Sequence, residues 1–274
     1  MSKRLLNIPT LAALALTADL MTSCVLHVTK RDDGDMKEAK KEYTVSKPYT
    51  SIDCETYAEI IYTVSDTISI TAESTATDLK HLQINVDEDS VLHIYRANDD
   101  GEYSVAYKKG YNRGIKLTPG HGVALCKLYI SGPAFSKLNL SGASRFNSEG
   151  CLKTPSMNIT ISGASDADIK EVITGNFSIT ADGASDIDID SLKADNVSIA
   201  TFGAGDVDAK LYDVKNTFMS ISGAGDMDID FTNCGYAKAE VSGAGDIELS
   251  GTLHELDKSV SGAADIKTEK LTLK

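Results

Sequence analysis

The chain has 274 residues, 42% of them hydrophobic, with 21 glycines, five prolines and no tryptophan, a composition that supplies ample core for one or two soluble globular units. Forty acidic residues against 27 basic ones leave a formal net charge of −13. That balance excludes nucleic acid as a natural partner, since phosphate binding needs a basic footprint.

The first 24 residues have a basic start (Lys3, Arg4), an apolar run from Ile8 to Ala18 and a small-residue approach to a cysteine, Met21-Thr22-Ser23-Cys24. The run is too short for a membrane span and reads as a secretory signal. Its ending resembles a bacterial lipoprotein signal, with two departures: Asp19 interrupts the apolar region and Met21 stands where leucine is preferred. The resemblance implies export, lipidation of Cys24 and anchoring to the outer membrane, at the cell surface or the periplasmic face. An ordinary cleaved signal with a structural Cys24 is the alternative. Residues 25–47, with KRDDGD at 30–35 and KEAKKE at 37–42, read as a polar tether.

From Tyr49 alternating segments begin: SIDCETYAEIIYTV (51–64), TISITAES (67–74), LQINVDE (82–88) and SVLHIYRA (90–97). Polar turns separate them, so each reads as a strand. Residues 98–122 are glycine-rich and aromatic. Lys108, Lys109, Tyr111, Arg113 and Lys116 there could form a binding loop; a solvated hairpin or loop over an early coil is the plainer reading. Strands resume with ALCKLYISG (124–132) and SKLNLSG (136–142).

A five-residue phrase then recurs: SGASR (141–145), SGASD, DGASD, FGAGD, SGAGD, SGAGD and SGAAD (261–265). Its glycines, Gly142, Gly163, Gly183, Gly203, Gly223, Gly243 and Gly262, are spaced by 21, 20, 20, 20, 20 and 19 residues, which signals stacked structural units over 141–268. Counting from that glycine, positions −4, −2, +4 and +6 are apolar in most units, as in Ile159, Ile161, Ala167 and Ile169. Polar residues alternate with them, giving two strands around a Gly-Ala corner. Glycine supplies unusual backbone angles there, and the small alanine at +1 suits a tight inward bend.

Twenty residues span roughly 66 Å of extended chain, which fits one turn of a coil with two or three short strands. The fold class is therefore all-β: one parallel β-helix over 48–274 with coils of about 20 residues, right-handed by the usual rule for parallel crossovers. A leucine framework is missing and a propeller blade needs about 40 residues. Cys151 and Cys234 lie about four coils apart, roughly 19 Å, beyond disulfide reach. Buried free thiols are expected at Cys54, Cys126, Cys151 and Cys234, with the pair Cys54 and Cys126 left open.

Stacking turns the acids into columns. Asp166, Asp186, Asp206, Asp226 and Asp246 share position +3, and Asp168, Asp188, Asp208 and Asp228 share +5. At about 4.8 Å separation neighbouring carboxylates repel by about 1 kcal/mol in water, which favours a cation. Arg145 opens the +3 column and Lys267 closes the +5 column. These nine aspartates are candidate calcium ligands, after the glycine-aspartate turns of calcium β-rolls. The plainer alternative makes the +3 Asp a cap on its own turn and the +5 acid a solubilising group.

The strand set from Tyr49 to Ala97 followed by SGAS and SGAGD repeats resembles the auto-transporter adhesin "head GIN" domain family, over about residues 48–274. The resemblance implies a small exported β-helix, commonly a lipoprotein, with adhesion in its name and no catalytic residues to carry over. The expected function is that of a non-enzymatic cell-envelope module, anchored to the membrane and contacting a glycan, a cell-surface protein or a neighbouring copy. The alternative is a calcium-stabilised β-helix that binds or cleaves polysaccharide. Against catalysis stand the scattered histidines (His27, His81, His93, His121, His254), the uniform columns and the absence of G-x-S-x-G, H-E-x-x-H or a phosphate loop. No resident cofactor is expected beyond that candidate calcium.

Overall fold

The computed structural model describes residues 25–28, 38–45, 47–97 and 126–274; the signal with Cys24, the rest of the tether and the 98–122 segment lie outside them. The described chain is a β-solenoid of about seven turns. Each repeat contributes two strands, so two ladders of parallel strands run along the molecule. The first includes Ser156–Gly163, Asn176–Gly183, Asn196–Thr201 and Asn216–Ile221. The second includes Arg145–Lys153, Asp166–Ile173, Asp186–Lys193 and Asp206–Tyr212. The register between coils is one repeat, as in Ile179↔Ile199 and Ile187↔Val207.

The period-2 pattern decides which way each strand faces. Ile159, Ile161, Ala167 and Ile169 are buried, and so are their equivalents in the following coils, such as Ile179, Ile187, Ile189, Ile199 and Met219. Each such aliphatic side chain contributes about 1.5–3 kcal/mol on burial, which outweighs repulsion between acids outside.

At the corner, the structure corrects the expected role of each small residue. Alanine at +1 is exposed in every repeat, whereas the residue at +2 (Ser144, Ser165, Ser185, Gly205, Gly225, Gly245) points inward. The alanine N–H donates to the repeat-glycine carbonyl of the preceding coil, as in Ala184 to Gly163 at 2.9 Å. That ladder draws the corners together. A Cβ on Gly223 would sit 2.1 Å from the Gly203 carbonyl oxygen, although Gly223 has no left-handed φ. Close stacking therefore requires the glycine, more than its backbone angle does.

The early strands stack out of chain order. Ser51–Thr56 pairs with both Val91–Arg96 and Lys137–Gly142, and Ala58–Val64 with both Cys126–Gly132 and Arg145–Lys153. The first coil is thus sandwiched between two that follow it in sequence. At this junction Tyr62 meets Phe135 edge-on with 5.1 Å between centroids, and its hydroxyl lies 3.1 Å from that of Tyr49. Burial pushes the Tyr49 hydroxyl up to about 12.

Antiparallel strands close the N-terminal end. Leu82–Val86 pairs with Val91–Arg96, Ser69–Thr75 with Cys126–Gly132, Glu38–Tyr43 with Ser69–Thr75, and Val25–Val28 with Glu38–Tyr43. The tether expected over 25–47 is therefore partly strand. Ala39 and Tyr43 are buried, and the Tyr43 hydroxyl donates to the Leu82 carbonyl at 3.1 Å. The short helix Ala76–His81 is capped by Thr75 Oγ1, which accepts from Asp78 N–H at 3.1 Å.

The C-terminal end is finished differently. Lys258 occupies the core column that holds Ala239 one coil earlier, and its Nζ donates to the Ile266 carbonyl at 3.5 Å. Val260 and Leu273 remain 46% and 57% exposed. All four cysteines of the described residues are free; Cys54, Cys126 and Cys234 are buried, while Cys151 is only partly so. The uniform expectation of buried thiols fails at Cys151, which lies beside a register shift between Ser148 and Cys151.

Candidate functional site

The outward face of the second ladder carries the acids. Asp168, Asp188, Asp208 and Asp228 lie in register as one column, and Asp186 faces Asp206 in the other. The two columns divide the work. In the +3 column, Asp206 Oδ1 accepts the backbone N–H of Asp226 at 2.9 Å, Asp226 that of Asp246 at 2.8 Å, and Asp246 that of Asp265 at 2.9 Å. Each carboxylate thus caps the following coil rather than its own turn.

The residue at +2 sets the corner type. Where +2 is serine, its backbone carbonyl takes the N–H of the next +3 residue, as in Asp166 to Ser144 and Asp206 to Ser185, both 2.9 Å. Where +2 is glycine, the aspartate side chain takes that N–H instead. A Cβ on Gly225 would lie 2.0 Å from the Gly205 carbonyl oxygen, so the closer backbone approach in these coils admits only glycine.

The +5 column does different work. It floors a groove of about 790 Å³ that runs from Asn147 to Lys270. Burial, then the neighbouring carboxylates, raises the carboxyls of Asp168, Asp208 and Asp228 above the usual range. Cations stand at both ends, although Lys267, which the sequence puts at the foot of the +5 column, pairs with an acid of the +3 column. Arg145 pairs with Asp166 at 2.8 Å. Lys267 reaches Asp246 at 2.8 Å, and Lys270 takes Glu248 at 2.5 Å. These lysines hold Asp246 and Glu248 below the carboxylate range.

Sequence reasoning missed three groove lysines, Lys170, Lys210 and Lys270. For the first two the signal was present: the alternation continues to +7, where Lys170, Asp190, Lys210 and Asp230 follow one another, and Lys210 pairs with Asp190 at 3.5 Å. Among the described residues no three His, Cys, Asp or Glu side chains converge to hold a metal ion. The nine candidate aspartates present rows of single carboxylates; of the +3 row, Asp206, Asp226 and Asp246 are already engaged by backbone donors and Asp166 by Arg145. One histidine is drawn into a cluster on the other ladder: His93 lies between Asp53 at 3.4 Å and Asp87 at 2.9 Å.

This architecture is shared with solved bacterial proteins. A "putative adhesin" from Bacteroides fragilis NCTC 9343 matches with a TM-score of 0.66 at 20% identity, covering 84% of this chain and 96% of that one. A "putative lipid binding protein" from Parabacteroides distasonis ATCC 8503 matches with a TM-score of 0.59 at 18% identity, over 84% and 96%. A "putative adhesin" from Parabacteroides merdae ATCC 43184 has a TM-score of 0.57 at 17% identity, over 86% and 96%. At these identities the likeness is one of fold. No curated protein matches the chain. Residues 48–243 and 219–274 match the family "Putative auto-transporter adhesin, head GIN domain", and with well over half of its length matched, the chain belongs to that family.

Proposed function

We propose that the chain is a non-catalytic binding module of the bacterial cell envelope, exported, held at the membrane through lipid on Cys24, and using the outer faces of its solenoid for adhesion. The observation that carries this reading is the uniformity of the groove. Successive coils present Asp168, Asp188, Asp208 and Asp228 at one register position, whereas catalysis needs a single place at which distinct groups converge on the reacting atoms. A periodic row instead suits an extended partner that gains from many equivalent contacts. Family membership and the adhesin-named structural relatives support the same reading.

The test is attachment. Cells carrying the chain are compared with cells lacking it for adherence to surfaces coated with glycans or host-type proteins. Adherence that depends on the chain is expected. Equal adherence, together with release of reducing or unsaturated ends from a polysaccharide incubated with the protein, would replace the reading with an enzymatic one.

A further inference from the structure

The two ladders differ in chemistry on their outer faces, and the repeat forces the difference. Acids at +3 and +5 all fall on the second ladder. On the first, the outward positions from Ser156 to Ser222 hold serine, threonine, asparagine, Ala200, Phe202 and Phe218, with Asp182 as the single charge. On a chain of net charge −13, this is a neutral, hydrogen-bonding face.

It is also shaped and ordered. A depression of about 400 Å³ lies along it, lined by Asn158, Asn176, Ser178, Asn196 and Ser198 among others. Asn196 Nδ2 donates to Asn176 Oδ1 at 3.0 Å, and Asn216 Nδ2 to Asn196 Oδ1 at 2.9 Å. The amide planes are thereby held in a row. Each amide carries two N–H donors and two acceptor lone pairs, so one laddered bond in each direction leaves donor and acceptor capacity facing solvent. Aromatic rings follow the amides before charged residues begin. Ser198 is followed in its column by Phe218, 37% exposed, and then by Lys238, whose Nζ lies 5.8 Å from the Phe218 ring centroid; Asn216 is followed by Tyr236 and then Glu255.

Preordered amides, hydroxyls that both donate and accept, a single charge at Asp182 and an adjoining aromatic surface match the chemistry of a neutral polysaccharide. Its hydroxyls need paired donors and acceptors, and its C–H faces need an apolar plate. We infer that the first-ladder face, from Ser156 and Asn158 to Phe218 and Tyr236, binds a neutral, extended glycan lying along the solenoid axis. The inference rests on the reading of the chain as a surface-binding module. The opposite acidic face is left for other contacts.

Affinity electrophoresis of the purified chain through gels containing dextran, mannan, xylan or, as a charged control, pectate tests it. At least one neutral glycan is expected to retard the protein more than pectate does. Combined Asn196→Ala and Phe218→Ala should weaken that retardation about tenfold, equivalent to about 1.4 kcal/mol, with the native circular dichroism spectrum retained at the assay temperature. Phe218→Tyr should retain it. Glu149→Gln with Glu269→Gln, on the second ladder and outside the groove, should leave it unchanged. Failure of all neutral glycans to retard the chain overturns the inference, as does retardation that survives the first double variant or is lost with the second. If glycan binding fails while chain-dependent adherence persists, the binding-module reading stands and this face is not its site; if both fail, the reading itself falls.

Discussion

At Gly223 the nearest obstacle to a side chain is the Gly203 carbonyl oxygen, 2.1 Å from an added Cβ; at Gly142 it is the Thr56 carbonyl oxygen at 3.8 Å, with φ at +91°. The same motif position thus carries two different penalties. Gly223→Ala must push two coils apart, and is expected to cost about 1–3 kcal/mol or more in urea unfolding, whereas Gly142→Ala incurs only a left-handed backbone penalty of about 1 kcal/mol. The acids divide in the same manner. Asp226→Ala removes the acceptor for the Asp246 N–H and should cost about 1 kcal/mol. Asp208 behaves oppositely, because its folded pKa is raised. A raised carboxyl favours the folded state below its unfolded value, near 4, and loses that advantage as pH rises through the folded value. Asp208→Asn should therefore raise the urea midpoint at pH 7 and leave it unchanged at pH 3. For Asp246, held low by Lys267, stability is present above the unfolded value and lost as pH falls through the folded one. Asp246→Asn should thus weaken the fold at pH 7 and matter least in acid.

The elements that repeat were legible from sequence because each local alternation agrees with the global stack. Strand, corner, strand and the two acid columns follow from positions such as Ile179, Gly183, Asp186 and Asp188 alone. The capped end was not legible. Ser51–Val64 finds partners 40, 68 and 86 residues further along the chain, on both its sides, and no repeated phrase marks that pairing. Glu38–Tyr43, EAKKEY, reads as solvated chain because only Ala39 and Tyr43 turn inward. Its work is to cover an edge strand, Ser69–Thr75, that would otherwise offer unpaired backbone groups. Removing residues up to 45 should lower the melting temperature and increase aggregation on heating, measured by light scattering alongside circular dichroism; an unchanged melt would show that the cap contributes nothing. The candidate site was half legible: the columns were visible, but their division into coil caps and groove floor depends on the Ser-to-Gly change at +2.

On the scale of the whole molecule the two ends are unlike. Strands cover the N-terminal end, while the last coil places Lys258 in a core column and spans its ammonium to Ile266. An inward-pointing charge on an open edge discourages a second copy from continuing the stack. Lys258→Leu should therefore associate as concentration rises, seen by sedimentation velocity, while Lys258→Arg stays as the wild type. The faces are unlike as well. Residues 160–250 hold 17 acids against five lysines and no arginine, nearly all on the second ladder and the connecting turns, so a module held at a membrane would present one acidic and one neutral side to its surroundings. Display of that kind is the central claim, and protease treatment of intact cells tests it most directly. With a C-terminal epitope, wild-type protein should be digested on intact cells and fractionate with membranes, and Cys24→Ala should move it to a soluble fraction. Digestion only after lysis, with fractionation indifferent to Cys24, would contradict the account.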